Sequence, residues 1–315
     1  MACISGPRTK PLTLRSGDKV GIIAPASNIK RELLEAGCDG LRHAGYEPFY
    51  FDSILDRDLY FAGPIERRVW ELEQMFVRDD IRAIVCARGG YGANYLLEAL
   101  NPANIAPHPK IFVGYSDLTA LLTCFADNAR FVTFHGPMVT KDFAVAGGVD
   151  LQSWQNAFGG AAEWQIGEDS GARPLVAGTA EGVLYGGCLS ILVASLGTPH
   201  EIRPTGTILF LEDVAAKPYQ IDRMLTQLKL GGRLKDVRGI IFGEMLDCCQ
   251  SPDQDYTLEE VILRIVGDLG IPVAFGLRSG HVSRANITLP FGVQARLEVG
   301  ASVKLVILEA ATENR

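Results

Sequence analysis

Short apolar runs alternate with amphipathic stretches along the first half of the chain. Buried strands are predicted for the apolar runs at residues 19–25, 46–51, 81–87, 110–115 and 131–135. Helices are predicted for residues 29–45, 65–78, 92–100 and 117–128. Strands that alternate with helices of this length are typical of a parallel sheet covered on both faces. In such a sheet, ligands bind at the carboxyl ends of the strands.

The pattern changes in the second half. Glycine, alanine and polar residues dominate residues 147–173, which predicts a linker at 161–174 between a domain of residues 1–160 and a domain of residues 175–315. Strands are then predicted at residues 178–185, 206–211, 237–245 and 273–277, and helices at residues 219–230 and 258–269. The tail, from ANITLPFG to ASVKLVIL, alternates between glycine turns and is typical of a β-meander. We therefore predict an α/β protein, with an N-terminal parallel-sheet domain and a smaller C-terminal domain that is mixed, β-rich and barrel-like.

Composition and charge narrow the classes of function. Hydrophobic residues make up 47% of the 315 residues and charged residues 21%, which is typical of a globular protein. The net charge of -7 disfavours binding to nucleic acid or to an anionic membrane. The N-terminal segment lacks an apolar stretch of signal-peptide length, and no apolar run reaches the roughly 20 residues of a membrane span. We therefore expect a cytoplasmic protein.

Cysteine usage and familiar motifs add exclusions. The seven cysteines form no CxxC pair, and Cys86, Cys124 and Cys188 lie in apolar runs, which predicts reduced thiols rather than disulfides or a zinc site. The sequence contains no GxxxxGK[ST] loop and no HExxH helix. These absences disfavour phosphate-cradling and zinc-protease functions.

The first residue with candidate chemistry is Ser116, in the segment IFVGYSDLTALL. It stands where an apolar strand passes into an apolar helix, so its hydroxyl is expected at the carboxyl end of the sheet. The next amide, that of Asp117, opens the helix, where free N–H groups favour developing negative charge. This placement, a serine on the turn between a strand and a helix, is that of a nucleophile elbow, although the GxSxG sequence is absent. The alternative is that Ser116 is only a helix N-cap.

A glycine-rich turn follows the strand that ends near residue 87, with the sequence ARGGYG at residues 87–92. Three glycines in four positions let the backbone approach a ligand closely or adopt a positive φ. A glycine amide directed at Ser116 would be a second oxyanion donor, and we assign this role to Gly90. Arg88 and Gly89 are candidate substrate contacts. The alternative is an ordinary tight turn between a strand and a helix.

Two further side chains could serve a serine nucleophile. Glu212 ends an apolar strand, and a carboxylate so close to a core needs a partner. Orienting a histidine would supply one, and His281, which follows a strand and a Ser-Gly turn, is a candidate. The alternatives are that Glu212 and Asp213 cap the following helix or contact solvent, and that His281 is structural. Because adjacent strand residues point to opposite faces, only one of the two acids can face His281.

Together these segments resemble the LD-carboxypeptidase family, serine peptidases of the S66 type. The resemblance rests on eight blocks in family order: GDKVGIIAPAS (17–27), ARGGYGANYLLEAL (87–100), FVGYSDLTALL (112–122), FHGPM (134–138), GVLYGGCLSILVASLGTP (182–199), ILFLEDVAAKPYQIDRMLTQL (208–228), GIIFGEM (239–245) and PVAFGLRSGHVSRANITLPFG (272–292). It implies a triad on the GYSD, LED and GH motifs, which here are Ser116, Glu212 and His281. It thereby selects Glu212 over Asp213 as the partner of the histidine.

The resemblance also implies a fold, a substrate and an assembly. It implies an N-terminal α/β domain, a C-terminal domain of mixed strands, a site between them, usually a homodimer, and no metal or cofactor. The implied substrate is a small peptide, the muropeptide tetrapeptide, cut between the L-centre of meso-diaminopimelate and the terminal D-Ala during peptidoglycan recycling in the cytosol. A related branch hydrolyses peptidyl-nucleotide antibiotics of the microcin C type. The form of the glycine loop favours the carboxypeptidase branch.

A catalytically idle binding protein of the same fold is the non-enzyme alternative. The presence of all three residues Ser116, Glu212 and His281 favours an enzyme, since a binding protein does not need to retain the complete set.

Overall fold

A computed structural model of the chain describes residues 8–314, which divide into two compact units. The first unit contains the chain up to Ala162, together with Arg284–Gly292 and the chain from Ala310 onward. The second contains Glu163–Ser283 and Val293–Glu309. The chain therefore passes from one unit to the other more than once.

The described residues form strands, α-helices and shorter helical turns. The strands are β1 (Lys19–Ile23), β2 (Glu47–Phe49), β3 (Ile81–Cys86), β4 (Ile111–Gly114), β5 (Thr133–His135), β6 (Trp164–Ile166), β7 (Arg173–Val176), β8 (Gly178–Cys188), β9 (Thr207–Glu212), β10 (Gly239–Gly243), β11 (Val273–Leu277), β12 (Leu289–Phe291), β13 (Gln294–Val299) and β14 (Val303–Ile307). The helices are α1 (Arg31–His43), α2 (Ile65–Val77), α3 (Pro102–Ile105), α4 (Thr119–Cys124), α5 (Leu151–Phe158), α6 (Leu189–Ala194), α7 (Pro218–Leu230) and α8 (Leu258–Val266). Short 3₁₀ or π turns occur at Asp52–Leu55, Ala93–Leu96, Ser116–Leu118, Phe125–Ala129, Val139–Phe143 and Glu168–Ser170.

The first unit is built on a six-stranded sheet in the order β12-β5-β4-β3-β1-β2. The strands from β5 to β2 are parallel, and β12 pairs antiparallel to β5. β4 is buried along its whole length, and so is β3 apart from Arg82, which explains why both read as continuous apolar runs in the sequence. Leu72 and Phe76 of α2 and Leu122 of α4 pack with Phe112 in one core. The predicted N-terminal parallel-sheet domain is confirmed.

The second unit is built on an eight-stranded sheet in the order β6-β14-β13-β8-β9-β10-β11-β7. The four strands from β8 to β11 are parallel, and the remaining pairs are antiparallel. Helices α6, α7 and α8 bury Leu192, Leu225 and Ile262 against Leu209 and Phe242 of the sheet. The predicted mixed, β-rich character of this domain is confirmed. Within residues 8–314 this sheet is open, with β6 and β7 as its edge strands. The described residues therefore form no closed barrel in this domain.

Three local features differ from the pattern of the sequence. The predicted helix at residues 92–100 is only a 3₁₀ turn, Ala93–Leu96, and α3 starts separately where the side chain of Asn101 caps it and Pro102 follows. The tail is a hairpin of β13 and β14, while β12 pairs with β5 in the first unit. Residues 161–174, which the sequence marks as a linker, contain β6 and the start of β7.

No helix in the described residues is both long enough and apolar enough to cross a bilayer.

The packing of α1 depends on a close backbone approach. A Cβ atom added at Gly37 would lie 2.2 Å from the carbonyl oxygen of Val139, and one added at Gly40 would lie 2.1 Å from that of Phe143. No real side chain tolerates such distances to backbone. The two glycines therefore let α1 lie directly on the turn Val139–Phe143.

We predict that Gly37→Ala lowers the free energy of unfolding by about 1–3 kcal/mol, because the added methyl forces α1 away from Val139. Helix propensity alone would give the opposite sign, a gain of about 1 kcal/mol. Urea unfolding measures the difference, with Ala36→Gly on the same helix as the control for propensity. A gain in stability for Gly37→Ala would contradict the close approach.

Candidate active site

Ser116 has the backbone conformation of a strained turn. It follows β4 and Tyr115, and its φ of 64° lies in the left-handed region that side chains rarely adopt. Tyr115 and Leu118 occupy the N-cap positions of the turn Ser116–Leu118 and of α4. Ser116 is therefore not the cap residue that the alternative interpretation requires, and it sits where the chain reverses at the carboxyl end of β4.

The glycine turn lies directly against this serine. A Cβ atom at Gly89 would be 2.8 Å from Cβ of Ser116 and 3.1 Å from its Oγ, so only glycine fits there. Gly90, at a φ of 101°, instead faces Ser27, whose Oγ would lie 2.3 Å from an added Cβ. The exposed Arg88 donates from Nη1 to the carbonyl oxygen of Asn28 at 3.3 Å. The backbone of Gly89 thus lies close to Ser116.

The direction of one peptide in this turn can be inferred from its carbonyl. The N–H of Ser27 donates to the carbonyl oxygen of Gly89 at 3.2 Å. The described chain contains no cis peptide, and in a trans peptide the C=O and the following N–H point in opposite directions. The N–H of Gly90 therefore points away from Ser27. This orientation is compatible with the predicted donor role of Gly90, which stays a prediction.

Asp117 is buried beside the nucleophile candidate, with 2% of its surface exposed. Its Oδ2 accepts a hydrogen bond from the N–H of Ala93 at 2.7 Å. Burial raises the pKa of Asp117 to about 6, although hydrogen bonds from Ala93 and Gly92 and the charge of Arg68 act in the opposite direction. The side chain therefore holds the end of the glycine turn, while the backbone N–H of Asp117 is the proposed oxyanion donor.

In the second unit, Glu212 and His281 form a hydrogen-bonded pair. Glu212 ends β9 and is fully buried, and its Oε2 lies 2.7 Å from Nδ1 of His281. The same oxygen accepts the backbone N–H of His281 at 3.1 Å. Because a carboxylate accepts, Nδ1 carries the proton, and Nε2 is left with a lone pair that can accept another.

Two glycines make room for this carboxylate. A Cβ atom at Gly280, where φ is 94°, would lie 2.7 Å from Cδ of Glu212. One at Gly243, on the neighbouring β10, would lie 2.6 Å from Cβ of Glu212. The turn before His281 can therefore fold tightly over the end of β9, and this brings the imidazole to the carboxylate.

Asp213 has a different function from its neighbour. Its Oδ2 accepts the N–H of Ser190, in the first turn of α6, at 2.9 Å, and its Oδ1 accepts the N–H of Val214 at 2.8 Å. Asp213 therefore holds the first turn of α6, which precedes β9 in the chain, whereas the following helix α7 has Lys217 as its N-cap. Glu212 faces His281.

Three buried cysteines, Cys38, Cys188 and Cys248, are poor candidates for a competing nucleophile. Burial raises the pKa of Cys38 to about 11 and that of Cys248 to about 12, and the pKa of Cys188, beside Glu212 in the sheet, is raised well above its usual value. Such thiols stay protonated at neutral pH and are poor nucleophiles. Cys3 lies outside the described residues. Within residues 8–314, no group of three or more His, Cys, Asp or Glu side chains is arranged to hold a metal ion.

Sequence reasoning missed Arg68, which is buried beneath the glycine turn with 2% of its surface exposed. Its Nη1 donates to the carbonyl oxygens of Pro25 at 2.8 Å and Gly92 at 2.9 Å. The spacing in the sequence could have indicated a buried arginine, since Arg68 precedes Leu72 by four residues and therefore lies on the apolar face of α2. An arginine on a buried helix face needs internal acceptors, which the turn supplies.

Comparison with known proteins decides the family. The chain matches the LD-carboxypeptidase N-terminal domain over residues 20–136 and the LD-carboxypeptidase C-terminal domain over residues 181–297. The chain belongs to the LD-carboxypeptidase family. It is 37% identical over 304 residues to a probable murein peptide carboxypeptidase of Bacillus subtilis, covering 96% of this chain and 94% of that protein.

Two further proteins with different names are similar to this chain. The crystal structure of a muramoyltetrapeptide carboxypeptidase from Oxalobacter formigenes superposes with a TM-score of 0.83 at 29% identity, covering 93% of this chain and 99% of that one. The microcin C7 self-immunity protein MccF of Escherichia coli is 29% identical over 326 residues, covering 90% of this chain and 92% of that protein. The resemblance identified from the sequence is confirmed.

The raised pKa of Asp117 predicts a specific pH dependence of stability. Its folded-state pKa, about 6, lies above the unfolded value of about 4, so the folded protein holds this proton more tightly. The resulting stability is fully present below pH 4 and is lost as the pH rises through 6. We expect the free energy of unfolding of the wild type, relative to Asp117→Asn, to fall by about 2–3 kcal/mol between pH 4 and pH 7.

Urea unfolding at several pH values measures this difference, and the titration of all other groups cancels between the two proteins. If the difference in free energy of unfolding stays constant between pH 4 and pH 7, or rises with pH, burial does not raise the pKa of Asp117.

Proposed function

We propose that this LD-carboxypeptidase is a serine peptidase that removes the terminal D-Ala from muropeptide tetrapeptides, with Ser116 as nucleophile, His281 as general base and Glu212 as the partner of His281. The observation that carries the proposal is the 2.7 Å hydrogen bond between the buried Glu212 and Nδ1 of His281. A buried carboxylate that fixes the tautomer of an imidazole is the supporting half of a catalytic triad.

The proposed chemistry begins with proton removal. Nε2 of His281 takes the proton of Ser116 Oγ as this oxygen attacks the carbonyl carbon of the scissile peptide. Glu212 stabilises the imidazolium that forms, because its oxygen already accepts the proton on Nδ1. The imidazolium then gives its proton to the leaving amine of D-Ala. A water molecule, deprotonated by His281, releases the shortened peptide from the serine ester.

The negative oxygen of the tetrahedral intermediate needs donors about 2.7–3.1 Å away. We assign these to the N–H groups of Asp117 and Gly90. Asp117 follows the nucleophile in the turn Ser116–Leu118. The N–H of Gly90 points away from Ser27, and Gly89 keeps the turn within contact distance of Ser116 because it has no side chain.

The relatives and the sequence together support the proposed substrate. The Bacillus subtilis relative is named for murein peptides and the Oxalobacter formigenes structure for muramoyltetrapeptide. These names support a peptidase acting on wall-derived peptides, and the tetrapeptide is the specific substrate we propose. Such an enzyme would act in the cytosol on recycled wall fragments. The homodimer that the family resemblance implies stays a prediction.

The alternative substrate is a peptidyl or aminoacyl nucleotide of the microcin C type. It is supported by the 29% identity to MccF, which extends over 90% of this chain. The chemistry of the triad would be the same, so only the substrate-binding surfaces distinguish the two activities.

We predict that the purified protein releases D-Ala from the muropeptide tetrapeptide and that Ser116→Ala, which lacks the nucleophile, does so on the order of a millionfold more slowly. Mass spectrometry of the products measures both. An aminoacyl-sulfamoyl adenosine, incubated in parallel, tests the alternative substrate.

Nucleoside release in place of D-Ala release would establish the microcin-type activity. No turnover of either compound would favour a binding protein. A folded Ser116→Ala variant that kept more than a few per cent of the activity would exclude Ser116 as nucleophile.

The two adjacent acids provide a matched pair of variants. We predict that Glu212→Gln lowers kcat by about 10⁴, because an amide no longer holds the required tautomer of His281. Asp213→Asn should lower kcat by less than about tenfold, since Asp213 accepts hydrogen bonds from Ser190 and from the N–H of Val214 and does not hold His281. Steady-state kinetics on the tetrapeptide measures both, and a larger loss for Asp213→Asn would reverse the assignment.

A further inference from the structure

One peptide unit of the glycine turn is held by two buried, oppositely charged side chains. The carbonyl oxygen of Gly92 accepts from Nη1 of Arg68 at 2.9 Å. The N–H of Ala93, in the same peptide unit, donates to Oδ2 of Asp117 at 2.7 Å. Because the two groups of a trans peptide point in opposite directions, Arg68 and Asp117 lie on opposite sides of it.

We propose that Arg68 and the side chain of Asp117 are positioning residues that clamp the Gly92–Ala93 peptide and thereby set the distance between the glycine turn and Ser116. This inference rests on the proposed function, in which that turn supplies an oxyanion donor. It assigns Arg68 a role in the reaction without contact to the substrate.

Burial makes the clamp strong. Arg68 and Asp117 are each 2% exposed, and a buried charge is costly unless hydrogen bonds compensate it. The guanidinium of Arg68 also lies 4.9 Å from the ring centre of Phe61 and donates to the carbonyl of Pro25. Moving the Gly92–Ala93 peptide would therefore leave a buried cation and a buried carboxyl short of partners at the same time.

The glycines explain why a clamp is needed. Gly89, Gly90 and Gly92 have no side chains to pack, so packing alone cannot fix the turn. Its first half is held by Ser27, whose N–H donates to the carbonyl of Gly89 at 3.2 Å and whose Oγ accepts the N–H of Tyr91 at 3.0 Å.

The second half of the turn is held by the clamp. Asp117 is bonded directly to Ser116 in the chain, so its carboxylate links the turn to the nucleophile itself. The clamp therefore couples the position of the proposed donor Gly90 to the position of Ser116 Oγ.

The test uses two pairs of variants and a matched control. Arg68→Met and Asp117→Ala remove the clamp, whereas Arg68→Lys and Asp117→Asn keep a donor or an acceptor at each position. Arg67→Met is the control, because Arg67 is a largely buried neighbour whose ion pair is to Glu71 at 2.7 Å, within α2. For each protein, amide hydrogen exchange of residues 88–96 is measured, together with kcat and KM on the tetrapeptide.

We expect exchange at residues 88–96 to rise at least tenfold in Arg68→Met and Asp117→Ala, with exchange in α1 and α5 unchanged. We expect kcat to fall by about 10–100-fold with KM within about threefold, because a displaced oxyanion donor acts on the transition state. Arg68→Lys and Asp117→Asn should lie closer to the wild type in both readouts. Arg67→Met should leave exchange at residues 88–96 as it is.

Amide exchange can be measured without catalytic turnover, so it tests the clamp separately from the proposed peptidase function. A wild-type protein inactive on the tetrapeptide would overturn the proposed function, while local exchange would still decide the clamp. Wild-type exchange at residues 88–96 in the clamp variants, or a rise spread evenly over the first unit, would overturn the clamp. If one of Arg68→Met and Asp117→Ala does not fold, the other decides by the same criterion. If neither folds, Arg68→Lys and Asp117→Asn decide by where exchange rises: a smaller rise confined to residues 88–96 supports the clamp, and no rise there, or an even rise over the first unit, overturns it.

Discussion

A buried carboxylate must be given hydrogen-bond donors where it lies, and this requirement shapes the loops at the strand ends of both units. Asp117 receives the N–H of Ala93, and Asp142 receives the N–H of Met138 and Nδ2 of Asn286. Glu212 receives Nδ1 and the backbone N–H of His281. In each case the donor comes from a loop that is distant in sequence or tightly turned. These loops are thus held in place by the buried carboxylates to which they donate hydrogen bonds.

Parallel strands make this arrangement possible. A fully buried parallel strand has no exposed face, so its polar chemistry is confined to the loop that follows it. Ser116 follows β4, the glycine turn follows β3, and Glu212 is the last residue of β9. The glycines at these ends, such as Gly89 and Gly280, are required because neighbouring functional side chains occupy the space of a Cβ atom. Close packing at the strand ends of each unit therefore leaves no room for larger residues at these glycines.

The sequence predicts the buried strands well because their apolar runs are local signals, and β3, β4 and β11 lie where the runs predict them. It fails where partners distant in the sequence decide the outcome. Nothing near β12 indicates that it pairs with β5. The pairing of Glu212 with His281 came from the family resemblance, since 69 residues separate them. The choice between Gly89 and Gly90 depends on the direction of a peptide plane, which composition does not encode.

Asp117 and Glu212 are both buried carboxyl groups, but they differ in the groups that donate hydrogen bonds to them. The partners of Asp117 include backbone N–H groups, which neither gain nor lose a proton near neutral pH. They can hold a position, but they cannot respond to a proton transfer. The partner of Glu212 is an imidazole, which can gain a second proton on its other nitrogen. Of these two carboxylates, only Glu212 has a partner whose charge can change, which supports the catalytic role proposed for Glu212 and the positioning role proposed for Asp117.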